Sequence, residues 1–149
     1  MRTAPKKFLY SEVVINAPME AVYAAIADAD KMVEWFPDEI EGLFAVGEQP
    51  VFVFKGHGKY TVVVVDAKPY DYFAFRWVPG ATGHLCDLTN VTTTLVEFRL
   101  EERDGVTTVT LTESGLASQP AETGEAAFKQ NSGGWEFMLA RLVKQFPKE

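Results

Sequence analysis

Two hydrophobic periods divide the chain. In residues 72–78, YFAFRWV, Phe73, Phe75 and Trp77 fall on one parity and Tyr72, Ala74 and Arg76 on the other. That is the period of a β-strand with one buried face. Residues 93–102, TTLVEFRLEE, repeat it, with Thr94, Val96, Phe98 and Leu100 opposing Glu97, Arg99 and Glu101. Asp104-Gly105 then prescribes a tight hairpin into a partner strand over residues 106–113. Toward the C-terminus the period changes. Trp135, Met138, Leu139, Leu142, Val143 and Phe146 recur at helical spacing, and Phe128 continues the stripe upstream. The pattern predicts a long terminal helix within residues 121–146, laid on an apolar sheet face.

The first half alternates short elements. Residues 7–15 are rich in β-formers and read as a strand. Asn16 is the expected helix N-cap, with Pro18 in the first turn and Met19, Val22, Tyr23 and Ile26 forming an apolar face. Asp30 is expected to cap a second short helix through Trp35, stopped by Pro37. Residues 51–56 and 59–66 read as a hairpin around a glycine-bearing turn. Val62 to Val65 are apolar on both parities, so the pattern leaves the inward side of that strand open. Successive hairpins followed by a terminal helix imply an α+β fold with an antiparallel, meandering sheet. Gly133-Gly134, just before Trp135, is expected to mark a close contact with the sheet or a kink.

Four stretches carry a family resemblance. They are INAPMEAVYAAIAD (15–28), KYTVVVVDAKPYDYFAFRW (59–77), TTTLVEFRLEERDGVTTVTLTESGL (92–116) and GWEFMLARL (134–142). Their order resembles the helix-grip fold of the START-like (SRPBCC) superfamily, and more narrowly the activator of heat-shock-protein-90 ATPase homologue family. The resemblance implies a bent antiparallel sheet wrapped around a long C-terminal helix, with two short helices after the first strand. It also implies a possible chaperone partner and a role in stress response. The connection over residues 79–92 is longer than a turn between neighbouring strands requires.

Composition narrows the function classes. The 149 residues suit one domain, 1–149, long enough to bury a core without staples. Cys86 is the one cysteine, so no intrachain disulfide forms, as expected in the cytoplasm. No apolar run reaches membrane-spanning length, and a net charge of −7 argues against nucleic acid and anionic membranes as partners. A monomer or a homodimer is expected, the latter through an edge strand.

Polar chemistry is sparse. His57 lies in a glycine turn, and His84, Cys86 and Asp87 share one loop without zinc-ligand spacing, so no metal is expected. Glu34, Asp38, Glu39 and Glu41 read as a solvated loop. No nucleophile, phosphate or dinucleotide motif is present, and neither catalytic residues nor a cofactor are expected. The strongest signal is apolar. Trp35, Phe52, Phe54, Tyr60, Phe73, Phe75, Trp77, Phe98, Trp135 and Met138 are the expected lining of a cavity between sheet and terminal helix. The expected function is non-catalytic binding of a small hydrophobic or aromatic ligand. Polar orienting groups would come from Arg76, Tyr60, His57 and Asn131, with Arg76 on the outward parity. Two other readings stand beside it: a protein-interaction module of the chaperone-activator kind, and a cyclase- or dehydratase-type enzyme, which needs an inward carboxylate, histidine or tyrosine.

Overall fold

The Asp104-Gly105 turn sets the frame. Both residues take positive φ, 54° and 79°, which suits the twist of a two-residue hairpin. The computed structural model describes residues 8–56, 58–78, 88, 93–115 and 134–146, and every structural statement concerns these. In chain order the elements are β1 (Phe8–Ile15), α1 (Met19–Ala27), α2 (Ala29–Met32), β2 (Glu39–Glu41), β3 (Val51–Phe54), β4 (Gly58–Thr61), β5 (Val63–Lys68), β6 (Tyr72–Trp77), β7 (Thr94–Arg103), β8 (Val106–Ser114) and α3 (134–144). β1-β8-β7-β6-β5 form one antiparallel sheet and β2-β3-β4 a second. The fold is the α+β helix-grip arrangement, a bent antiparallel sheet with a C-terminal helix.

The bend has a local cause. The expected strand over residues 59–66 is divided at Val62, whose N–H keeps the β3–β4 register and donates to Pro50 O at 2.8 Å. Val64 N–H donates to Glu48 O at 3.2 Å, and Gly47 N–H returns to Val64 O at 2.9 Å. One further step along, the β5–β6 register shifts between Val64 and Asp66. A bulge bends its strand and increases the local twist, so the run Val62–Val65 turns from one sheet into the other. The parity left open by the sequence is now fixed: Tyr60, Val62 and Val64 point inward, while Val65 is exposed.

The helices differ from expectation at their starts. Pro18, not Asn16, occupies the N-cap of α1, and no side chain caps it locally. Glu102 supplies the missing acceptor from the far hairpin, taking the Met19 N–H at 2.6 Å. A carboxylate there also suits the positive end of the helix. Asp28, not Asp30, caps α2 through the Asp30 N–H, and α2 ends at Met32 rather than Trp35. The short α2 lets the following turns carry Trp35 and Phe36 into the core, where they are 0% and 4% exposed. β2 is a strand of three residues that the pattern gave no sign of.

On α3 the stripe behaves as its spacing requires. Trp135, Leu139 and Leu142 are buried, and Met138, Val143 and Phe146 are partly buried against the core. The close contact expected at Gly134 is absent. It is exposed, and a Cβ there would meet nothing within 4 Å. Gly133 and residues 121–132, including Phe128, lie outside the described residues. Among the described residues no helix is long and apolar enough to cross a membrane.

The outer face of the larger sheet is polar. Glu97 accepts from Tyr72 Oη at 2.6 Å and from Arg99 at 2.9 Å, and the Arg99 guanidinium lies 5.3 Å from the Tyr72 ring centre. Burial, and then the hydrogen bond to Glu97, push the Tyr72 phenol from 10.0 up to about 12. The folded state therefore keeps this proton where the unfolded chain loses it. The associated stability is complete below the ordinary tyrosine range and fades as pH rises toward about 12. An alkaline absorbance titration should show a phenol ionising near pH 12 that Tyr72→Phe removes. An unchanged titration curve in the variant would contradict the assignment.

One buried donor is unmet. Tyr23, on α1, is 5% exposed, and its hydroxyl has no hydrogen-bond partner. A buried unsatisfied hydroxyl costs about 1–3 kcal/mol, whereas its removal leaves the ring in place. Tyr23→Phe should therefore be neutral or stabilise by about 1 kcal/mol in urea denaturation. A clear loss would mean that the hydroxyl has a partner after all.

Candidate functional site

The aromatic residues converge on Phe36. Its ring centre lies 4.9 Å from that of Trp135, 5.4 Å from Phe54, 5.7 Å from Phe52 and 6.0 Å from Trp77. Strand parity delivers the sheet's share, since Phe73 and Phe75 on β6 and Phe98 on β7 all point inward and are at most 2% exposed. The turns after α2 bring Trp35, whose indole N–H donates to Ala25 O at 2.8 Å and fixes the ring against α1. Tyr60 stands on β4 between Phe54 and Trp77, at 5.6 and 5.3 Å. α3 closes the cluster with Trp135, 5.8 Å from Trp77 and 6.1 Å from Phe98. Phe54 and Met138 sit at its margin, half-buried. All ten residues singled out in the sequence thus lie in or against one hydrophobic core. Their rings touch one another, so the sheet and α3 meet along an aromatic seam.

One charged side chain enters this seam. Glu113, near the end of β8, is 0% exposed. Its Oε2 accepts from Trp77 Nε1 at 3.0 Å and from Thr94 Oγ1 at 2.6 Å, and its Oε1 accepts from Trp135 Nε1 at 2.9 Å. The register explains the convergence. Trp77 pairs with Thr94 across β6–β7, and Val96 pairs with Glu113 across β7–β8, so adjacent inward positions place these groups side by side. A buried carboxylate is tolerated only where hydrogen bonds replace its water. Among the described residues two indole N–H groups and one hydroxyl do so, and one of the indoles belongs to α3.

Sequence reasoning missed both centres of the site. Glu113 was legible in principle, because the alternation Thr107, Val109, Leu111 extends to it on the inward parity. Phe36 lay beside a run of carboxylates, and nothing local distinguished it from a loop residue. Of the orienting groups expected from the sequence, Arg76 is exposed, as its parity required. His57, His84, Cys86, Asp87 and Asn131 lie outside the described residues. The acidic loop is solvated: Glu41 pairs with Lys59 at 3.4 Å and Glu39 with Lys55 at 4.0 Å, all of them on the surface. Asp38 accepts the Lys55 N–H at 2.7 Å and so trims the β2–β3 end. Among the described residues, no group of three or more His, Cys, Asp or Glu is arranged to hold a metal ion.

Thr94→Val keeps the shape of the side chain but removes the shortest of the hydrogen bonds that Trp77, Thr94 and Trp135 make to Glu113. A bond to a buried charged group contributes about 1.5–3 kcal/mol, and chemical denaturation of the variant should show a loss of about that size. A change under about 0.5 kcal/mol would mean that the hydroxyl is replaceable.

The architecture has solved counterparts. A putative protein of the dynemicin biosynthetic locus is 24% identical, with a TM-score of 0.73 over 94% of this chain. This chain spans only 47% of that one. The Aha1 dimer from Colwellia psychrerythraea is 20% identical, with a TM-score of 0.71, 93% of this chain covered and 95% of that one. An Hsp90 activator from Plasmodium falciparum is 14% identical, with a TM-score of 0.72, 97% of this chain covered and 100% of that one. At such identities the likeness concerns the fold. No curated protein matches the sequence. The family model described as "Activator of Hsp90 ATPase homolog 1-like protein" matches residues 16–146, nearly the whole chain, and the chain belongs to that family.

Proposed function

We propose that the domain binds a small hydrophobic or aromatic molecule, without catalysis, between the sheet and α3. The observation that carries this reading is the Glu113 carboxylate set among aromatic rings at the junction of sheet and helix. Small-molecule sites are mostly apolar, with a few placed polar groups that fix orientation. The Phe36–Trp77–Trp135 seam supplies the apolar walls, and Glu113 the polar group. The seam joins two separate parts of the chain, strands and a terminal helix. A ligand can enter there by parting side chains, without breaking a strand ladder.

All three tryptophans, Trp35, Trp77 and Trp135, lie in or beside the seam and are at most 7% exposed. Their emission is therefore a direct reporter of ligand entry. Titration with lipids, polyketides and planar aromatics should change that emission and raise the melting temperature. At a ligand concentration of 100 Kd the stabilisation should reach about 2.7 kcal/mol. Neither effect with any of these classes would sink the proposal.

Family membership favours a second reading, a chaperone partner whose ATPase the domain stimulates. Its readout is independent of the first. Added protein should raise the ATP turnover of a purified Hsp90 in proportion to complex formation. An unchanged turnover, together with no co-elution, would remove this reading and leave the ligand-binding one standing.

A further inference from the structure

We infer that the chain pairs with a second copy of itself through β1, in an antiparallel register centred on Ser11, so that the larger sheet runs on from one copy into the other. The inference stands apart from the ligand-binding and chaperone readings, and its test involves neither.

β1 is an end strand of the larger sheet. Sheet ends are commonly blunted by shortness, a bulge, a proline or charged side chains. Two other strands carry such devices. β5, at the opposite end, shifts register between Val64 and Asp66, bears Lys68, and is tied to Gly47 and Glu48 through Val64. β2, at an end of the smaller sheet, has three residues, and two of them are glutamates. β1 is different. Its eight residues include no proline or lysine, and its register with β8 is unbroken from Phe8–Ser114 to Ile15–Thr107. Tyr10 and Val14, on its outer face, are each 59% exposed.

The hairpin at Asp104-Gly105 fixes which backbone groups of β1 point to the open side. The residues flanking a two-residue turn exchange both of their backbone hydrogen bonds, and such pairs then alternate along the ladder. Arg103 and Val106 flank this turn, so Thr107, Val109 and Leu111 direct their backbone groups away from β7 and toward β1. There they meet Ile15, Val13 and Ser11. Tyr10, Glu12 and Val14 are the intervening residues, so their N–H and C=O groups lie on the open side. Among the described residues, no backbone hydrogen bond between elements reaches them.

This edge is its own complement, as an isologous pair requires. With Ser11 opposite the partner's Ser11, Tyr10 stands opposite the partner's Glu12 and Phe8 opposite the partner's Val14. Each of these pairs exchanges two backbone bonds and occurs twice by symmetry. The side chains match as well. Within one chain the Tyr10 hydroxyl already donates to Glu12 at 2.9 Å, and the partner's Tyr10 faces the same carboxylate with the Cα atoms about 5.5 Å apart. A register centred on Glu12 would set the two carboxylates directly opposite, which is unfavourable, and would leave Phe8 beyond the end of the partner strand.

Sedimentation equilibrium should give twice the mass of the chain at high concentration, falling to the monomer on dilution. Glu12→Pro removes an N–H on the open side and leaves the β1–β8 ladder whole, since its N–H takes no part there. It should weaken the dimer by on the order of ten-fold or more. Ser11→Cys, in a Cys86→Ser background, should form an intermolecular disulfide on mild oxidation. The central pair does not exchange backbone bonds, so its Cα atoms lie about 4.5 Å apart, within disulfide reach. Val13→Cys in the same background faces the partner's Leu9 and should cross-link far more slowly. A monomer at every concentration up to about 0.5 mM overturns the inference. So does a dimer that survives Glu12→Pro unchanged, with circular dichroism showing the variant folded. If that variant does not fold, the cysteine pair decides, and cross-linking no faster at Ser11 than at Val13 rejects the pairing.

Discussion

The Glu113 carboxylate joins the two halves of the molecule. Burying one charge in an aromatic core carries a desolvation cost of several kcal/mol unless every direction of approach is answered. Among the described residues, answers come from β6, β7 and α3 at once, through Trp77, Thr94 and Trp135. Hydrophobic contact alone would let a helix slide or rotate on a flat apolar face, because burial of area is not directional. A hydrogen bond from one indole to one oxygen is directional, and it sets the rotation and height of α3 on the sheet. Once Trp135 is fixed, the helical repeat places Leu139 and Leu142 on the same surface, where both are fully buried.

That latch works only because the sheet curves. A flat sheet could not present Phe52 from β3 and Phe98 from β7 to one cluster, yet Phe36 lies near Phe52 and Trp35, stacked on Phe36, lies near Phe98. The curvature arises at Val62–Val65, where the chain still bonds residues 48–50 in the β3–β4 register on one side while its register against β6 shifts on the other. Residues 47–50 satisfy the backbone groups exposed by this change, through Gly47, Glu48 and Pro50. The valine run that made the parity unreadable is therefore the hinge of the sheet. Apolar side chains on both parities suit a strand whose buried face changes partway along.

The two chain regions legible in the sequence were those governed by local rules. The β7–β8 hairpin follows from Asp104-Gly105 and a strict alternation, and the α3 stripe follows from helical spacing. The cap of α1 was not legible, because its acceptor comes from Glu102, distant in sequence and beside the helix only after folding. Gly134 misled for the same reason: whether a glycine marks a close approach depends on what lies opposite, and here that is open space. The ten aromatic and apolar residues were readable as a cluster from composition and parity. Which of them meet, and that Phe36 stands between them, depends on the short α2 and the turns behind it.

A glutamate on an inward parity breaks the hydrophobic pattern of β8, and in a single strand it looks like an error of register. Slipping β8 by one residue would expose Glu113 but would also turn Val109 and Leu111 outward, since every side chain changes face together. The chain avoids that by supplying donors where the pattern fails. Two of the donors among the described residues are tryptophans, residues whose large apolar rings already belong to the core and whose single N–H can serve a buried acceptor. The polar group therefore adds direction without diluting the core. It also gives the seam a chemistry that apolar packing lacks: a fixed acceptor at the place where sheet and helix meet.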